Sequence, residues 1–364
     1  MFNIILIYPY FAIVSTSIAC SILGSFLILK KKSMLVDAIS HSVLLGIVGS
    51  VLYTKDLSSP LLIIGATLTG LLTAYLSELL SSNKKVNEDA SIGIAFSFLF
   101  SIAVIIIGLN ITGIKEAHVD VDAALLGDPN LVTLPRIFNI LVVLFLNIIF
   151  VLVFYKELKI ASFDKALASS LGFSVGLINY ALITLVSLTT VVSFDAVGSI
   201  LVIALMIGPA ATALLFAKNL FHSVLLSILL AFLSAHIGYC LSILTDLPLS
   251  GLTSFITLVL FLLVLFFAPN NGIISKIFKY RFQKKIFFSI SLLMHIQNHN
   301  KKQKKIDTEI IPLDLKWSLN FYKKCLNFLF EKKYIRFKGN YIFVTLKGKE
   351  FLYKKNEEFG VINN

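Results

Sequence analysis

Charge is scarce in this sequence. Only 14% of its 364 residues are charged and 57% are hydrophobic, where a soluble domain carries about a quarter charged residues. That excludes an ordinary cytosolic enzyme and a disordered chain, and leaves a polytopic membrane protein. Cysteine is nearly absent. Cys20, Cys240 and Cys325 form no CxxC, and their number is odd, so neither a disulfide framework nor a structural zinc cluster is expected. There is no P-loop, nucleophile elbow, HExxH or dinucleotide fingerprint. Active transport by this chain would therefore draw its energy from another subunit, and no enzymatic activity is expected. The N-terminus lacks the basic region and small-residue cleavage site of a signal peptide, so it reads as a first span that stays. No internal repeat is visible, and the one low-complexity tract is Lys-rich 301–305.

What is present divides in two. Residues 270–364 hold 20 Lys and Arg against 7 Asp and Glu, whereas residues 1–269 sum to −1. The basic excess lies wholly in the tail. A bilayer core of about 30 Å needs about 20 apolar helical residues. Nine stretches qualify: 8–29, 34–53, 60–80, 90–110, 134–155, 174–193, 196–217, 221–242 and 252–269. Loops on one side carry Lys30, Lys31, Lys32, Lys84, Lys85, Lys156, Lys159, Lys165 and Lys218; the other side has only Lys55, Lys115 and Arg136. The positive-inside bias places the N-terminus outside and the basic tail in the cytoplasm. The stretch 34–53 is the least regular span, because Asp37 and His41 sit in it, and a re-entrant or tilted element is an alternative.

Ionisable groups at membrane depth are costly and therefore mark candidate sites. Asp37 and His41 stand at i and i+4, on one helix face. A carboxylate with an imidazole suits Zn, Mn or Fe; a structural Asp–His pair tying helices together is the other reading. Asp195 and His236 are secondary candidates near the outer ends of their spans. Glu88 and Asp89 open a span, where carboxylates satisfy a helix N-terminus. The outer-loop run Glu116, His118, Asp120 and Asp122 reads as a solvated face. Gly208 and Pro209 fall within a span, where Pro removes a helical bond and Gly allows close approach. That suits a helix lining a path, or a kinked packing helix. In the loop 156–173, residues 164–171 form a short helix with Asp164 as N-cap and Gly172 just past its end. It is a docking element or a connector.

Several segments together resemble the permease subunit of the ABC importers that move zinc, manganese or iron. DAISHSVLLGIV (37–48), EDASIGIAFS (88–97), DAALLGD (122–128), FDKALASSLGFSV (163–175), SLTTVVSFDAVGSILVIALMIGPAATA (187–213) and DLPLSG (246–251) occur in the family's order. The resemblance covers roughly 8–275. It implies a divalent-metal importer permease, multi-pass in the cell (inner) membrane, that works as a homodimer or heterodimer. A cytoplasmic ATPase and an extracytoplasmic metal-binding protein are its implied partners. No permanently bound cofactor is implied; the metal is cargo. The resemblance favours Asp37 and His41 as ligands on the transport path. It also makes 164–172 the coupling helix, with Asp164, Ala166, Ala168 and Gly172 in the signal positions. The Glu usual at the place of Ala166 is missing.

The tail departs from a typical member. It reads as helix 285–297, a Lys-rich break, helix 314–333, and strands 334–338 and 341–346 around Gly339-Asn340. This order resembles the winged helix of metal-dependent repressors, which some permeases carry as a fusion. The overall expectation is an all-α membrane domain over 1–275 and a small α+β winged-helix-like domain over 285–355. A basic winged helix invites DNA binding, and a membrane-tethered metal-responsive regulator is the alternative function. The helix 314–333 is apolar on much of its surface, however, so a non-DNA cytoplasmic module is favoured. His295 and His299, among Lys and Asn, read as solvated.

Overall fold

The protein is described by a computed structural model. It covers residues 2–55, 59–82, 85–109, 132–269, 272–301, 311–315, 317–338 and 341–358. The outer-loop residues Glu116, His118, Asp120, Asp122 and Asp128 lie outside the described residues. The chain forms two compact units, Met1–Gly272 and Ile273–Asn364.

The first unit is a helical bundle: α1 (Phe2–Leu29), α2 (Met34–Thr54), α3 (Leu61–Ser81), α4 (Glu88–Gly108), α5 (Leu134–Val153), α6 (Tyr155–Phe163), α7 (Lys165–Ser170), α8 (Val175–Val197), α9 (Ser199–Phe216), α10 (Leu220–Thr245) and α11 (Leu249–Phe267). Among the described residues, nine helices are long and apolar enough to cross a membrane: all of these except α6 and α7. They fall on the nine expected spans. The stretch 34–53 is one continuous helix despite Asp37 and His41, because the pair sits in its first two turns.

α1, α2, α8 and α9 form the centre, and α3, α4, α5, α10 and α11 surround them. Apolar side chains cannot sort these helices, because the outer ones carry them all round: Phe138, Phe145 and Leu152 of α5 point out of the bundle. Close approach and hydroxyl bonds sort them instead. A Cβ on Gly24 of α1 would fall on the Met206 carbonyl of α9. Gly46 of α2 likewise faces the Gly65 carbonyl of α3, with no room for a Cβ. Asn147 Nδ2 on α5 donates to Thr189 Oγ1 on α8 at 2.9 Å and to the Ala19 carbonyl on α1 at 3.4 Å. Thr73 donates to Ser42 Oγ at 2.6 Å, and Ser227 to the Ser21 carbonyl at 3.2 Å. Each bond joins two helices where water is absent.

The second unit comprises α12 (Ile273–Lys301), α13 (Ile311–Asp314), α14 (Leu319–Glu331), β1 (Ile335–Lys338), β2 (Tyr341–Val344) and α15 (Leu346–Glu358). The strands pair antiparallel, with Ile335 opposite Val344 and Lys338 opposite Tyr341; the expected turn Gly339-Asn340 lies outside the described residues. The core gathers Leu292, Leu293 and Ile296 of α12, Tyr322, Cys325 and Leu329 of α14, Ile335, Ile342 and Leu352. Phe288 meets Trp317 and Phe321 edge-on, each with ring centroids 5.0 Å apart.

Three tail expectations are corrected. α12 starts at Ile273 rather than 285, since its polar first half is basic without a breaker. The single helix 314–333 is not continuous: α13 ends at Asp314 and α14 starts at Leu319, after an extended Ser318. The strand expected over 341–346 ends at Val344, and α15 begins at Leu346, with Gly348 packed on the Tyr334 carbonyl.

Candidate functional site

Asp37 and His41 meet as their spacing requires: His41 Nε2 lies 3.5 Å from Asp37 Oδ1, and both side chains are partly exposed. The imidazole also sits between Phe96 and Phe100 of α4, at 5.9 and 6.0 Å. The aromatic pair packs against the ring, and the Asp37 carboxylate stays partly exposed. With 1.5 Å of rise per residue, the two groups lie about 4 and 10 Å from the helix start. The site is thus near the Lys30–Lys32 turn rather than midway along the span. At that turn Lys32 Nζ reaches Glu88 Oε1 at 3.8 Å, so Glu88 spans from the start of α4 to the turn after α1.

The short loop helix forms with both ends closed by its own sequence. Asp164 Oδ1 accepts from the Ala166 and Leu167 amides at 2.9 and 3.0 Å. At the other end, the Phe173 amide bonds the Ala168 carbonyl and the Gly172 amide bonds Ser169, with Gly172 at φ 85. This is a Schellman closure, which needs a left-handed residue at Gly172. Ala168 is buried, and Ala166 faces out. Phe163, Leu167 and Leu171, spaced by four, are 66, 50 and 55% exposed. The loop thus exposes three apolar side chains, one at the end of α6, one on α7 and one just past its end. Nearby, burial together with the Lys32 and Lys165 ammonium groups pushes the Lys30 amine down to about 8. Lys30 Nζ donates to Asn179 Oδ1 at 3.2 Å.

Gly208 and Pro209 are in α9, which continues through the proline. Gly208 abuts Thr257 of α11, and Thr212 Oγ1 donates to the Gly208 carbonyl at 2.7 Å. Gly208 is thus a point of close approach between α9 and α11. The side chain of Asp195, on α8, lies outside the described residues. His236 is not joined to Asp37 and His41. It stands on α10 with Tyr10 and Cys240, neighbours the sequence reading passed over although Cys240 is four residues on. His295 is not solvated: it is half-buried, with Nε2 3.8 Å from Asp314 Oδ2. The side chain of His299 is outside the described residues. Among the described residues no group of three or more His, Cys, Asp or Glu is placed to hold a metal ion.

The profile of the ABC 3 transport family matches residues 4–268, nearly the whole first unit. The chain belongs to that family. It is 43% identical over 275 residues to the manganese transport system membrane protein MntD of Bacillus subtilis, covering 72% of this chain and 92% of that one. It is 36% identical over 297 residues to the zinc transport system membrane protein TroD of Treponema pallidum, covering 79% of this chain and 80% of that one. A match of that length necessarily runs into the second unit. Among solved structures it resembles PsaBC from Streptococcus pneumoniae in complex with Fab, with a TM-score of 0.65 and 28% identity, covering 76% of this chain and 95% of that one. The family assignment agrees with nine spans and with a chain that carries no ATPase motif.

Proposed function

We propose that this permease carries a divalent metal ion into the cytoplasm, with ATP hydrolysis on a separate subunit and an extracytoplasmic binding protein delivering the metal. The observation that carries this reading is the Asp37–His41 pair, held on one face of α2 within a bundle of the ABC 3 family. Its O/N donor set suits manganese, zinc or iron; relatives named for manganese and zinc transport support the first two. The Lys-rich loops orient the bundle with the α1–α2 turn and α7 in the cytoplasm. In that orientation Asp37 and His41 lie on the exit side of the path, and the side chains of Phe163, Leu167 and Leu171 are offered to the ATPase. A second permease completes the path, as a homodimer or heterodimer.

The second unit is, in this reading, a cytoplasmic module of winged-helix type, supported by its order of helix, short helix, helix, hairpin and helix. One observation favours nucleic-acid contact as a further reading. Asn320, Lys323, Lys324 and Asn327 share the exposed face of α14, a polar and basic stripe. Such binding would rest on phosphate contacts and fall steeply with salt.

Metal uptake measured in cells at matched membrane levels tests the main reading. Asp37→Ala and His41→Ala should each lower uptake roughly tenfold or more, as loss of a metal contact does. Uptake close to wild type for both variants would remove the pair from the path.

A further inference from the structure

At the end of α1 away from the Lys30–Lys32 turn, a second cluster of donors is assembled from two helices. Tyr10 Oη lies 3.2 Å from His236 Nδ1. His236 Nε2 faces Cys240 Sγ at 3.9 Å, one turn along α10. The imidazole is stacked on Phe232 at 10° between planes and stands edge-on to Tyr10 at 76°. Tyr10 is in turn packed on Tyr239, 5.1 Å between centroids. The ring is thus fixed in orientation by aromatic neighbours, and one nitrogen is engaged by a phenol. The other nitrogen points to a thiol. Cys20 and Cys325 are buried, whereas Cys240 is exposed.

We propose that His236 and Cys240 form an open site for a thiophilic divalent metal such as Zn2+, with Tyr10 as positioning residue. Tetrahedral coordination at about 2.0–2.1 Å to nitrogen and about 2.3 Å to sulfur puts the two donors roughly 3.6 Å apart. The observed 3.9 Å closes to that by a small side-chain movement. When Nδ1–H donates to the Tyr10 oxygen, Nε2 keeps its lone pair for the metal, the arrangement that outer-sphere partners impose on ligating imidazoles. Binding releases the Cys240 proton to solvent and forms the metal–thiolate bond. Two protein donors leave the remaining positions to water or to a donor from another chain. The metal is then held reversibly, as a relay must hold it. An N/S pair favours Zn2+, Co2+ and Cd2+ over Mn2+, unlike the O/N pair of Asp37 and His41 roughly 20 Å along the bundle, counted at 1.5 Å per residue from Tyr10 to the end of α1 and back into the first turns of α2. The inference deepens the importer reading and rests on it for its role, but its chemistry is tested without transport.

The purified full-length protein in detergent is treated with a thiol alkylating reagent, with and without Zn2+ or Mn2+, and labelling at Cys240 is read by peptide mass spectrometry. Zn2+ should protect Cys240 and Mn2+ should not. His236→Ala should lower the apparent Zn2+ affinity about tenfold or more, and Tyr10→Phe by a smaller factor within the range seen for outer-sphere partners. Co2+ should give thiolate-to-metal charge-transfer absorption that disappears in Cys240→Ser. Absence of protection by Zn2+, or protection unchanged in His236→Ala, overturns the site. Should metal uptake persist in a protein whose Cys240 is unprotected, the site falls and the importer reading stands. Protection with no uptake does the reverse.

Discussion

In the first unit, an apolar core is crossed by close glycine contacts and hydroxyl bonds between helices; in the second, the core is built from rings and long aliphatic side chains. Gly24 against Met206 and Asn147 between Thr189 and Ala19 mark the first mode. Phe288 wedged on Trp317 and Phe321, above Leu293 and Leu329, marks the second. The solvent explains the contrast. In water, burying apolar area drives association. In lipid it gains little, so close backbone approach and satisfied polar groups decide which faces meet. The same residue types therefore mean different things in the two halves. A leucine on α5 is mostly lipid-facing, whereas Leu329 of α14 is the core.

This contrast can be broken most severely at Gly24. Gly24→Leu forces a side chain onto a backbone carbonyl that has no rotamer to give. The cost should exceed the roughly 1–3 kcal/mol usual for overpacking. We expect loss of monodisperse protein in detergent and loss of uptake, while limited proteolysis still releases a resistant fragment of the second unit. Normal uptake in this variant would show that α1 and α9 need not touch so closely. Next in size is Leu329→Ala, which should destabilise the second unit by about 2–5 kcal/mol. Its melting transition should drop, with uptake unaffected. A matching fall in uptake would mean that the tail takes part in transport.

A smaller effect is expected at Gly172. A β-branched residue at φ 85 costs roughly 1–2 kcal/mol or more in the left-handed region. Gly172→Val should unwind the end of α7 and weaken the coupling of ATP hydrolysis to uptake, leaving the melting of the long helices in place. Unchanged coupling would place the docking contact elsewhere.

The spans were legible because each is a long apolar run bounded by Lys, Pro or Gly, and length alone separates such runs from soluble helices. The Asp37–His41 contact was legible because i and i+4 side chains must meet on a helix. Asp164 and Gly172 likewise announced their caps. What the sequence hid was pairing between distant segments. Nothing local to Tyr10 points to His236, which is 226 residues away, and nothing near His41 points to Phe96 and Phe100. In the tail, apolar period alone did not reveal the break before Ser318. Nor did it show that the chain turns from strand into helix after Val344.

The finest test of the comparison is alkaline pH, where Lys30 in the first unit and Tyr322 in the second should contribute with opposite sign. Burial, with Lys32 and Lys165 close by, lowers the Lys30 amine from 10.5 to about 8. The folded state then binds fewer protons than the unfolded one between those values, so stability rises with pH across that window. Below about 8 the group is protonated in both states and its penalty is constant. In the second unit, burial raises the Tyr322 phenol from 10.0 to about 12 and raises the Cys325 thiol from 9.0, opposed by Ser289 and Lys285. Here the folded state holds protons that the unfolded state loses. Stability is therefore full below about pH 9 and falls as pH climbs past it. Thermal melts of the wild type and of Lys30→Met, from pH 7.5 to 10, isolate the first effect as their difference. Lys30→Met should be the more stable at pH 7.5, by a few degrees at most, and the gap should close toward pH 10. The transition of the second unit should move down over the same range, and Tyr322→Phe should blunt that fall. A gap that stays constant with pH would show that Lys30 keeps its ordinary proton affinity, and that the turn after α1 is wetter than its packing implies.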